Sequence, residues 1–224
     1  MEPISLIKVS DDISVHICPI CINLTIEPVE TECKHTFCFT CLEDLMENSA
    51  SEDQFKCPMC RTVMSKNFDM KVNKILDRQL KVKFKKDYEA RQKLLDEYRK
   101  SQEGIVKIKI LYGNTHELVP SLVNSDSSES SNKHKWGAFV KVVGESSDKF
   151  ISKVNFKLHP TFNPNEVSVN KPPFQISRIG WGTFDVPMTI YWKSNYNTKP
   201  VELSHTLSFT DKGETKVYIF KYIP

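Results

Sequence analysis

Apolar and polar residues alternate with a period of two along most of the C-terminal half of the chain. From Val106 onward, apolar residues at every second position are separated by Lys107 and Lys109. The same alternation recurs over residues 152–158, 186–192, 201–209 and 217–220. Half-buried antiparallel strands produce this pattern, and no helical stretch interrupts it. We therefore predict a β-sandwich of about 120 residues, spanning 104–224.

One stretch of this half departs from the alternation. Residues 121–135 read SLVNSDSSESSNKHK, and we predict a mobile loop because the segment is too polar to bury a face.

Residues 69–100 show a helical pattern instead. The stretch contains neither Gly nor Pro, and its apolar residues are mostly four and seven positions apart: Val72, Leu76, Leu80, Phe84, Tyr88, Leu95 and Tyr98. This spacing predicts one amphipathic helix, or two with a bend, ending near Ser101 and Gly104. Such a helix packs on the preceding domain, bridges to the next one, or pairs with a second copy. The step of four favours packing over a coiled coil.

Metal-ligand residues are concentrated in the front of the chain. All seven cysteines and one histidine fall in four closely spaced pairs: Cys18 with Cys21, Cys33 with His35, Cys38 with Cys41, and Cys57 with Cys60. Eight such ligands suffice for two closed tetrahedral zinc sites. A disulfide framework or a catalytic thiol fits less well, because acidic residues precede the cysteines where a secretion signal would carry positive charge. We expect a reducing compartment and two structural Zn²⁺ ions.

The order and spacing of these pairs resemble the RING finger. The resemblance implies a cross-brace, in which one zinc is bound by Cys18, Cys21, Cys38 and Cys41 and the other by Cys33, His35, Cys57 and Cys60. Phe37, Leu42 and Phe55 are expected to form the small core between the metals.

RING fingers act as ubiquitin ligases that bind a conjugating enzyme carrying ubiquitin as a thioester. Residues matching the docking surface of the family are Ile20, Leu45 and Pro58, and Arg61 matches the linchpin that contacts both the conjugating enzyme and ubiquitin. A planar guanidinium with several donors suits that task. No cysteine is left to carry ubiquitin, so the resemblance implies a transferase without a thioester of its own. The alternative is a RING finger retained only as an interaction module.

Charge is distributed unevenly. Residues 1–63 contain eleven acidic and four basic residues, whereas residues 66–103 contain twelve basic and seven acidic ones. A basic remainder suggests weak contact with nucleic acid, although solvated charges explain it equally well. The basic run at 81–86 fits a solvated helix face or a nuclear-import patch. No apolar run approaches membrane-spanning length, so we expect no membrane association.

Within the predicted sandwich, the sequence resembles the YEATS domain, a reader of acylated lysine in histone tails. The motifs are WGAFV from Trp136, KVNFKLHPTF from Lys153, KPPF from Lys171 and GWGTF from Gly180. The family pattern implies a slot that holds the flat acyl amide between aromatic side chains. The residues implied for this slot are His159, Thr161, Phe162, Gly180, Trp181, Gly182 and Phe184. In that pattern Thr161 bonds the amide nitrogen, His159 orients the loop, and backbone N–H groups of 180–182 bond the amide oxygen.

Other aromatic and histidine residues have structural interpretations. We expect Trp136, Phe156, Phe174 and Trp192 in the core, and His205 as a hydrogen-bonded core histidine. One departure from the family is that Asn163 follows Phe162 directly, which shortens the loop.

The sequence thus predicts an α+β multidomain protein with an N-terminal segment (1–15), a RING finger (16–64), a helical linker (65–103) and an immunoglobulin-like YEATS sandwich (104–224). The expected function is a nuclear ubiquitin ligase that binds acetyl- or crotonyl-lysine on histone tails. Its expected partners are a conjugating enzyme, ubiquitin and an acylated histone tail, with a dimer through the linker as a further hypothesis. Two alternatives remain: a non-enzymatic chromatin-complex subunit, and a sandwich that only docks proteins.

Overall fold

The chain divides into two compact units, one ending at Glu103 and the other beginning at Gly104. The computed structural model describes residues 12–119 and 134–224. The expectations for residues 1–11 and 121–133 therefore lie outside the described residues. No helix within the described ranges is long and apolar enough to cross a membrane.

The first unit is built from three short hairpins and three helices. In chain order these are β1 (Ile17–Cys18), β2 (Asn23–Leu24), β3 (Pro28–Glu30), β4 (Thr36–Cys38), α1 (Phe39–Glu47), β5 (Gln54–Lys56), β6 (Val63–Ser65), α2 (Lys74–Lys83) and α3 (Lys85–Ser101). Strands β1 and β2, β3 and β4, and β5 and β6 pair antiparallel. A short 3₁₀ turn over Ile13–His16 precedes them. Phe37, Leu42 and Phe55 are buried in the core, as predicted.

The helical stretch forms two helices that pack onto this core. Asn73 caps α2 by accepting a hydrogen bond from the Leu76 N–H at 3.0 Å, and the backbone leaves helical geometry at Phe84. Leu80 and Tyr88 are almost completely buried in the same cluster as Phe37. Since the apolar stripe is used for this packing, the helices belong to the first unit.

Polar contacts fix the helices in place. The Asp77 carboxylate accepts hydrogen bonds from the Glu27 backbone N–H at 2.9 Å and from the Tyr88 hydroxyl at 2.5 Å. Burial and the bond to Asp77 raise the pKa of the Tyr88 hydroxyl. Arg99 near the end of α3 forms a bidentate salt bridge with Glu27: Nη1 donates to Oε1 at 3.0 Å and Nη2 donates to Oε2 at 2.5 Å. The start and the end of the helical region are therefore both tied to the loop before β3.

The second unit is a sandwich of two four-stranded antiparallel sheets. Its strands are β7 (Val106–Leu118), β8 (His134–Val142), β9 (Ile151–Lys157), β10 (Glu166–Val169), β11 (Phe174–Gly180), β12 (Asp185–Trp192), β13 (Val201–Thr206) and β14 (Gly213–Tyr222). One sheet has the order β10-β9-β12-β13 and the other β11-β8-β7-β14. Trp136, Phe156, Phe174 and Trp192 lie in the shared core with at most 7% of their surface exposed. This architecture matches the predicted fold class.

The loop prediction for 121–135 was wrong at its end, where His134 and Lys135 begin β8. Both residues pair with β7 on one side and β11 on the other. Lys135 points away from the core and forms an ion pair with Glu117, 3.6 Å away on β7. Lys135 is tolerated in this central strand because it lies on the solvated face, whereas His134 lies on the same face as Trp136 and stacks on Phe209, with ring centroids 4.3 Å apart.

A buried polar network joins Asn114 of β7 to His205 of β13 and to Ser208, which follows that strand. The His205 Nε2 donates to Asn114 Oδ1 at 2.7 Å, and Asn114 Oδ1 also accepts the Ser208 N–H at 2.9 Å. Burial, with the nearby Lys216 charge, lowers the pKa of His205. His205 is completely buried, so it is a core histidine as predicted.

Candidate metal centre and binding slot

The eight predicted metal ligands form two separate clusters. Cys18, Cys21, Cys38 and Cys41 make one, and Cys33, His35, Cys57 and Cys60 make the other; within each, the ligand atoms lie within 4.8 Å of one another. A tetrahedral zinc with Zn–S bonds of about 2.3 Å needs sulfur atoms about 3.8 Å apart. The Sγ atoms of Cys21 and Cys38 are 4.0 Å apart, which fits this requirement.

His35 presents its Nδ1 to the second cluster. That nitrogen lies 3.4 Å from the Cys33 Sγ and 3.6 Å from the Cys57 Sγ. A tetrahedral site with one nitrogen and three sulfur ligands requires about 3.6 Å between these atoms. All seven cysteines are free thiols rather than disulfides. The residues present therefore fit two zinc ions with the grouping that the cross-brace implies.

Tight turns bring each CxxC pair together. Ile22 follows Cys21 with a φ of 55°, and its N–H donates to the Cys18 carbonyl at 2.8 Å. Arg61 follows Cys60 with a φ of 61°, and its N–H donates to the Cys57 carbonyl at 2.8 Å. Non-glycine residues in this left-handed region cost about 1–2 kcal/mol each. Metal ligation offsets that cost by holding the two cysteines of each pair together.

Hydrogen-bond donors surround the sulfur atoms of the first cluster. The Ile26 and Cys38 N–H groups point at the Cys38 and Cys18 Sγ atoms, each at 3.4 Å, and Arg91 Nη2 of α3 lies 3.5 Å from the Cys21 Sγ. Hydrogen bonding from the Cys38 and Cys41 thiols lowers the pKa of the Cys18 thiol. Such donors stabilise the thiolate form that zinc requires.

Zinc here supplies structure rather than reactivity. Each cluster offers four protein ligands, so no coordination position remains for a substrate or water. The metals order the loops that carry the predicted ligase surface. In that surface Pro58 and Arg61 are exposed, whereas Ile20 and Leu45 are half-buried.

The structure places Leu45 differently from the other predicted docking residues. Leu45 lines a shallow cavity of about 420 Å³ together with Phe55, Lys56 and Val63, and neither Ile20, Pro58 nor Arg61 lines it. The sequence reasoning missed three exposed apolar side chains near the zinc ligands: Ile22, Met59 and Val63. Ile22 and Met59 could have been noticed in the sequence, because each is adjacent to a cysteine ligand, where a solvated turn normally carries a polar residue.

A second candidate site is an open cavity of about 310 Å³ in the sandwich unit. Its lining contains all seven residues that the resemblance implied, plus two that it did not: His159, Thr161, Phe162, Gly180, Trp181, Gly182 and Phe184, with Ile179 and Thr183. We refer to this cavity as the slot. None of the nine residues is an Asp, Glu, Lys or Arg. The slot is therefore an aromatic site without a fixed charge.

Two loops supply the walls of the slot. The loop after β9 is closed by a bond from the Leu158 N–H to the Asn165 carbonyl at 2.7 Å, and the segment between β11 and β12 is anchored by a bond from the Leu207 N–H to the Phe184 carbonyl at 3.0 Å. Trp181 projects from the second segment with 72% of its surface exposed. The shortened loop still carries Phe162 into the lining.

Phe162 and Phe184 are half-buried, and their ring centroids are 5.7 Å apart. The slot thus has aromatic side chains from both loops, with Trp181 open to solvent.

The two predicted glycines play different parts. A Cβ added at Gly182 would meet nothing within 4 Å, so the backbone there borders open space. A Cβ added at Gly180 would lie 3.3 Å from Trp136 Nε1 and 3.6 Å from Phe162 Cζ. The missing side chain at Gly180 accommodates the protein's own aromatic residues.

Two hydrogen bonds to His159 orient Thr161, whose hydroxyl is the group that contacts the acyl amide in the family pattern. His159 Nδ1 accepts the Thr161 N–H at 3.3 Å and lies 2.9 Å from the Thr161 Oγ1. A ring nitrogen that accepts a backbone N–H carries no proton, so the Thr161 hydroxyl donates to it as well. The lone pairs of the Thr161 oxygen are then available to accept an N–H from a ligand.

Comparison with known families covers both sites. Residues 18–60 match the C3HC4-type zinc finger (RING finger) family, and residues 131–211 match the YEATS family. The chain joins a RING finger to a YEATS domain.

Curated relatives match about half of the chain or less. Transcription initiation factor TFIID subunit 14b of Arabidopsis thaliana is 33% identical over 54% of this chain and 44% of its own length. Protein AF-9 homolog of Saccharomyces cerevisiae is 38% identical over 44% of this chain and 43% of its own length. The chain thus spans less than half of each of these relatives.

Among solved structures, the Yaf9 YEATS domain bound to H3K27ac matches with a TM-score of 0.46 at 28% identity, covering 54% of this chain and 88% of that chain.

Proposed function

We propose that this protein reads acylated lysine on histone tails through its YEATS domain and promotes ubiquitin transfer from a conjugating enzyme through its RING finger. The observation that carries the reader half is the open, uncharged aromatic slot bounded by Trp181, Phe162 and Phe184. The names of the curated relatives support a role in transcription and a nuclear location. The whole-protein activity is our proposal, since the chain spans less than half of the length of these relatives.

The chemistry of the slot favours a neutral, flat group. Acylation removes the lysine charge and leaves an amide that stacks between aromatic faces. The Thr161 oxygen accepts the amide N–H, because its own proton is donated to His159. No carboxylate in the lining would balance an ammonium ion, so unmodified lysine is disfavoured. An open end, with Trp181 exposed, admits longer flat chains such as crotonyl.

Peptide titration of the full chain tests the reader half. We expect histone H3 peptides with acetyl- or crotonyl-lysine to bind, and unmodified and trimethyl-lysine peptides to bind at least about tenfold more weakly. Trp181→Ala should weaken acyl-lysine binding by about tenfold or more, through loss of one stacking face. Ile223→Ala, which removes an exposed apolar side chain of the same domain outside the slot, is the matched control. Equal affinity for acylated and unmodified peptides would refute the reader assignment.

The ligase half concerns the exposed RING surface. The amine of a target lysine attacks the thioester carbonyl on the conjugating enzyme, and the thiolate of that enzyme leaves. The RING finger only holds the thioester in a reactive orientation. Arg61 is proposed as the residue that bonds both the enzyme and ubiquitin, and its exposure leaves the guanidinium accessible. The YEATS domain raises the effective concentration of the chromatin target, so even weak reading selects substrates.

Autoubiquitylation of the purified full chain with a panel of conjugating enzymes tests this half. Arg61→Ala should reduce the rate by about tenfold or more, as expected when an orienting contact is lost. Lys34→Ala is a matched control, because Lys34 is also an exposed cation with positive φ next to a zinc ligand. Activity in no enzyme combination, with zinc content intact, would favour the non-enzymatic subunit. An equal loss in both variants would remove Arg61 from its proposed role.

A further inference from the structure

Trp136 lies beneath the slot without lining it. Its indole ring is 99% buried, at 1% exposure, and it sits on β8 between β7 and β11. The centroids of Phe162 and Phe184 are 5.8 and 5.6 Å from it, with interplanar angles of 89° and 80°. One buried ring therefore makes edge-on contacts with an aromatic residue from each of the two slot loops.

The same ring carries an unusual polar group. Trp136 Nε1 is buried and has no hydrogen-bond partner among the residues that the structure describes. A buried N–H without an acceptor is destabilising, and a phenylalanine at this position would avoid the cost. Trp192, the other tryptophan of this core, has a satisfied indole, since its Nε1 donates to the Lys199 carbonyl at 3.1 Å. Core packing alone thus does not account for an indole at position 136.

The geometry around Gly180 connects the two observations. The position that a Gly180 Cβ would occupy is 3.3 Å from Trp136 Nε1 and 3.6 Å from Phe162 Cζ. Because Gly180 has no side chain, Trp136 Nε1 and Phe162 Cζ can approach the backbone at the end of β11. Trp136 contacts an aromatic residue of each loop, whereas Phe162 and Phe184 are themselves only half-buried.

We infer that Trp136 is a positioning residue for the acyl-lysine slot, which fixes Phe162 and Phe184 relative to each other before a ligand binds. The inference rests on the proposed reader function. A wall that is already ordered loses less conformational freedom on binding, which strengthens affinity and sharpens discrimination between acyl groups. The ring exerts this effect through two other side chains and does not touch the ligand.

Paired substitutions in the full chain test this role. Trp136→Phe removes the wide indole and should weaken acetyl- and crotonyl-lysine peptide binding by about tenfold, and it should bring the two affinities closer together. Trp192→Phe removes an indole from the same core but outside the slot, where the ring stacks on Phe220 with centroids 3.8 Å apart. This control should retain both affinities and their ratio at temperatures where it is folded. Thermal unfolding of both variants measures the purely structural cost.

The outcomes separate this inference from the proposed function. If the wild type binds no acyl-lysine peptide, both are overturned. If the wild type binds and Trp136→Phe binds within about twofold of it, or both tryptophan variants weaken equally, only the positioning role is overturned. If Trp136→Phe fails to fold, an NMR measurement on the ligand-free wild-type chain tests the positioning role instead. A single sharp Trp136 indole N–H resonance that exchanges slowly is expected, and a broadened or rapidly exchanging one contradicts an ordered wall.

Discussion

The RING unit and the YEATS sandwich keep their folds by different means. Within the part of the chain that the structure describes, eighteen buried apolar residues form the hydrophobic cluster of the sandwich. The corresponding cluster of the first unit has twelve members, of which three are zinc ligands and two come from α2 and α3. The finger itself contributes seven ordinary apolar side chains, which is too few to fold without further support. Zinc binding and packing of α2 and α3 supply the remaining stabilisation.

This contrast explains why residues with positive φ lie beside the zinc ligands in the first unit, and why the candidate slot of the sandwich lies at the ends of its strands. In the RING unit, Ile22, Lys34 and Arg61 adopt positive φ next to zinc ligands. The metal holds these conformations and thereby shapes an exposed surface. In the YEATS domain, paired strands hold the loops instead, and the slot opens at their ends. A metal-organised surface and a sheet-organised slot should therefore respond to different perturbations.

Removal of zinc is expected to have the largest effect. A strong chelator should unfold the first unit, because structural zinc supplies about 10–16 kcal/mol in small finger domains. The YEATS domain should keep its own thermal transition and the acyl-lysine binding that we propose for it. Calorimetry with and without chelator, together with zinc analysis that gives two ions per chain, checks both parts. Persistence of the first-unit transition in a metal-free sample would show that the apolar cluster suffices.

Loss of the Asp77 network should have an intermediate effect confined to the first unit. Asp77→Ala leaves the Glu27 N–H and the Tyr88 hydroxyl without their acceptor, which should cost about 1–3 kcal/mol. Asp87→Ala is the matched control, since both residues lie in the first turn of a helix. Its cost should stay below about 1 kcal/mol because only the helix-dipole interaction is lost. Denaturant unfolding of both variants makes the comparison, and equal costs would mean that the helices do not depend on this contact.

The smallest expected effect is a pH dependence of the sandwich. Burial lowers the pKa of His205 below its ordinary value of 6.5, with Lys216 adding to the shift and Glu214 and Asp185 opposing it. Below about pH 6.5 the unfolded chain binds a proton that the folded chain does not, so stability should fall as the pH decreases from there. His205→Gln keeps a donor for Asn114 without titrating, and it should reduce the slope. An unchanged slope in thermal unfolding between pH 5 and 7 (about the His titration range) would exclude His205 as the source of the dependence.

Much of this structure follows from local patterns in the sequence. The period of two identified β7, β9, β12, β13 and β14, because each has one face in the core. The zinc ligand groups followed from spacing and the RING resemblance together. Strand β10 was not predicted, since Glu166 and Ser168 alternate with only two apolar residues.

Contacts between distant segments could not be predicted. The apolar stripe of the helices indicated a packed face but not that Leu80 and Tyr88 would meet the RING core. The break at Phe84 has no Gly or Pro to signal it. Gly180 lines the slot together with the other residues that the resemblance implied, but the approach of Trp136 and Phe162 to its missing side chain was not predicted. These features depend on long-range packing, which a local pattern does not encode.

The docking of α2 and α3 has a practical consequence for anyone who isolates the finger. A fragment cut near residue 64, where the cysteine pattern ends, would lack Leu80, Tyr88 and Arg91. It would expose the apolar side that these residues cover and lose the guanidinium beside the Cys21 sulfur. Inactivity of such a fragment would say little about the intact chain, so a fragment that keeps these contacts extends through Ser101, where α3 ends.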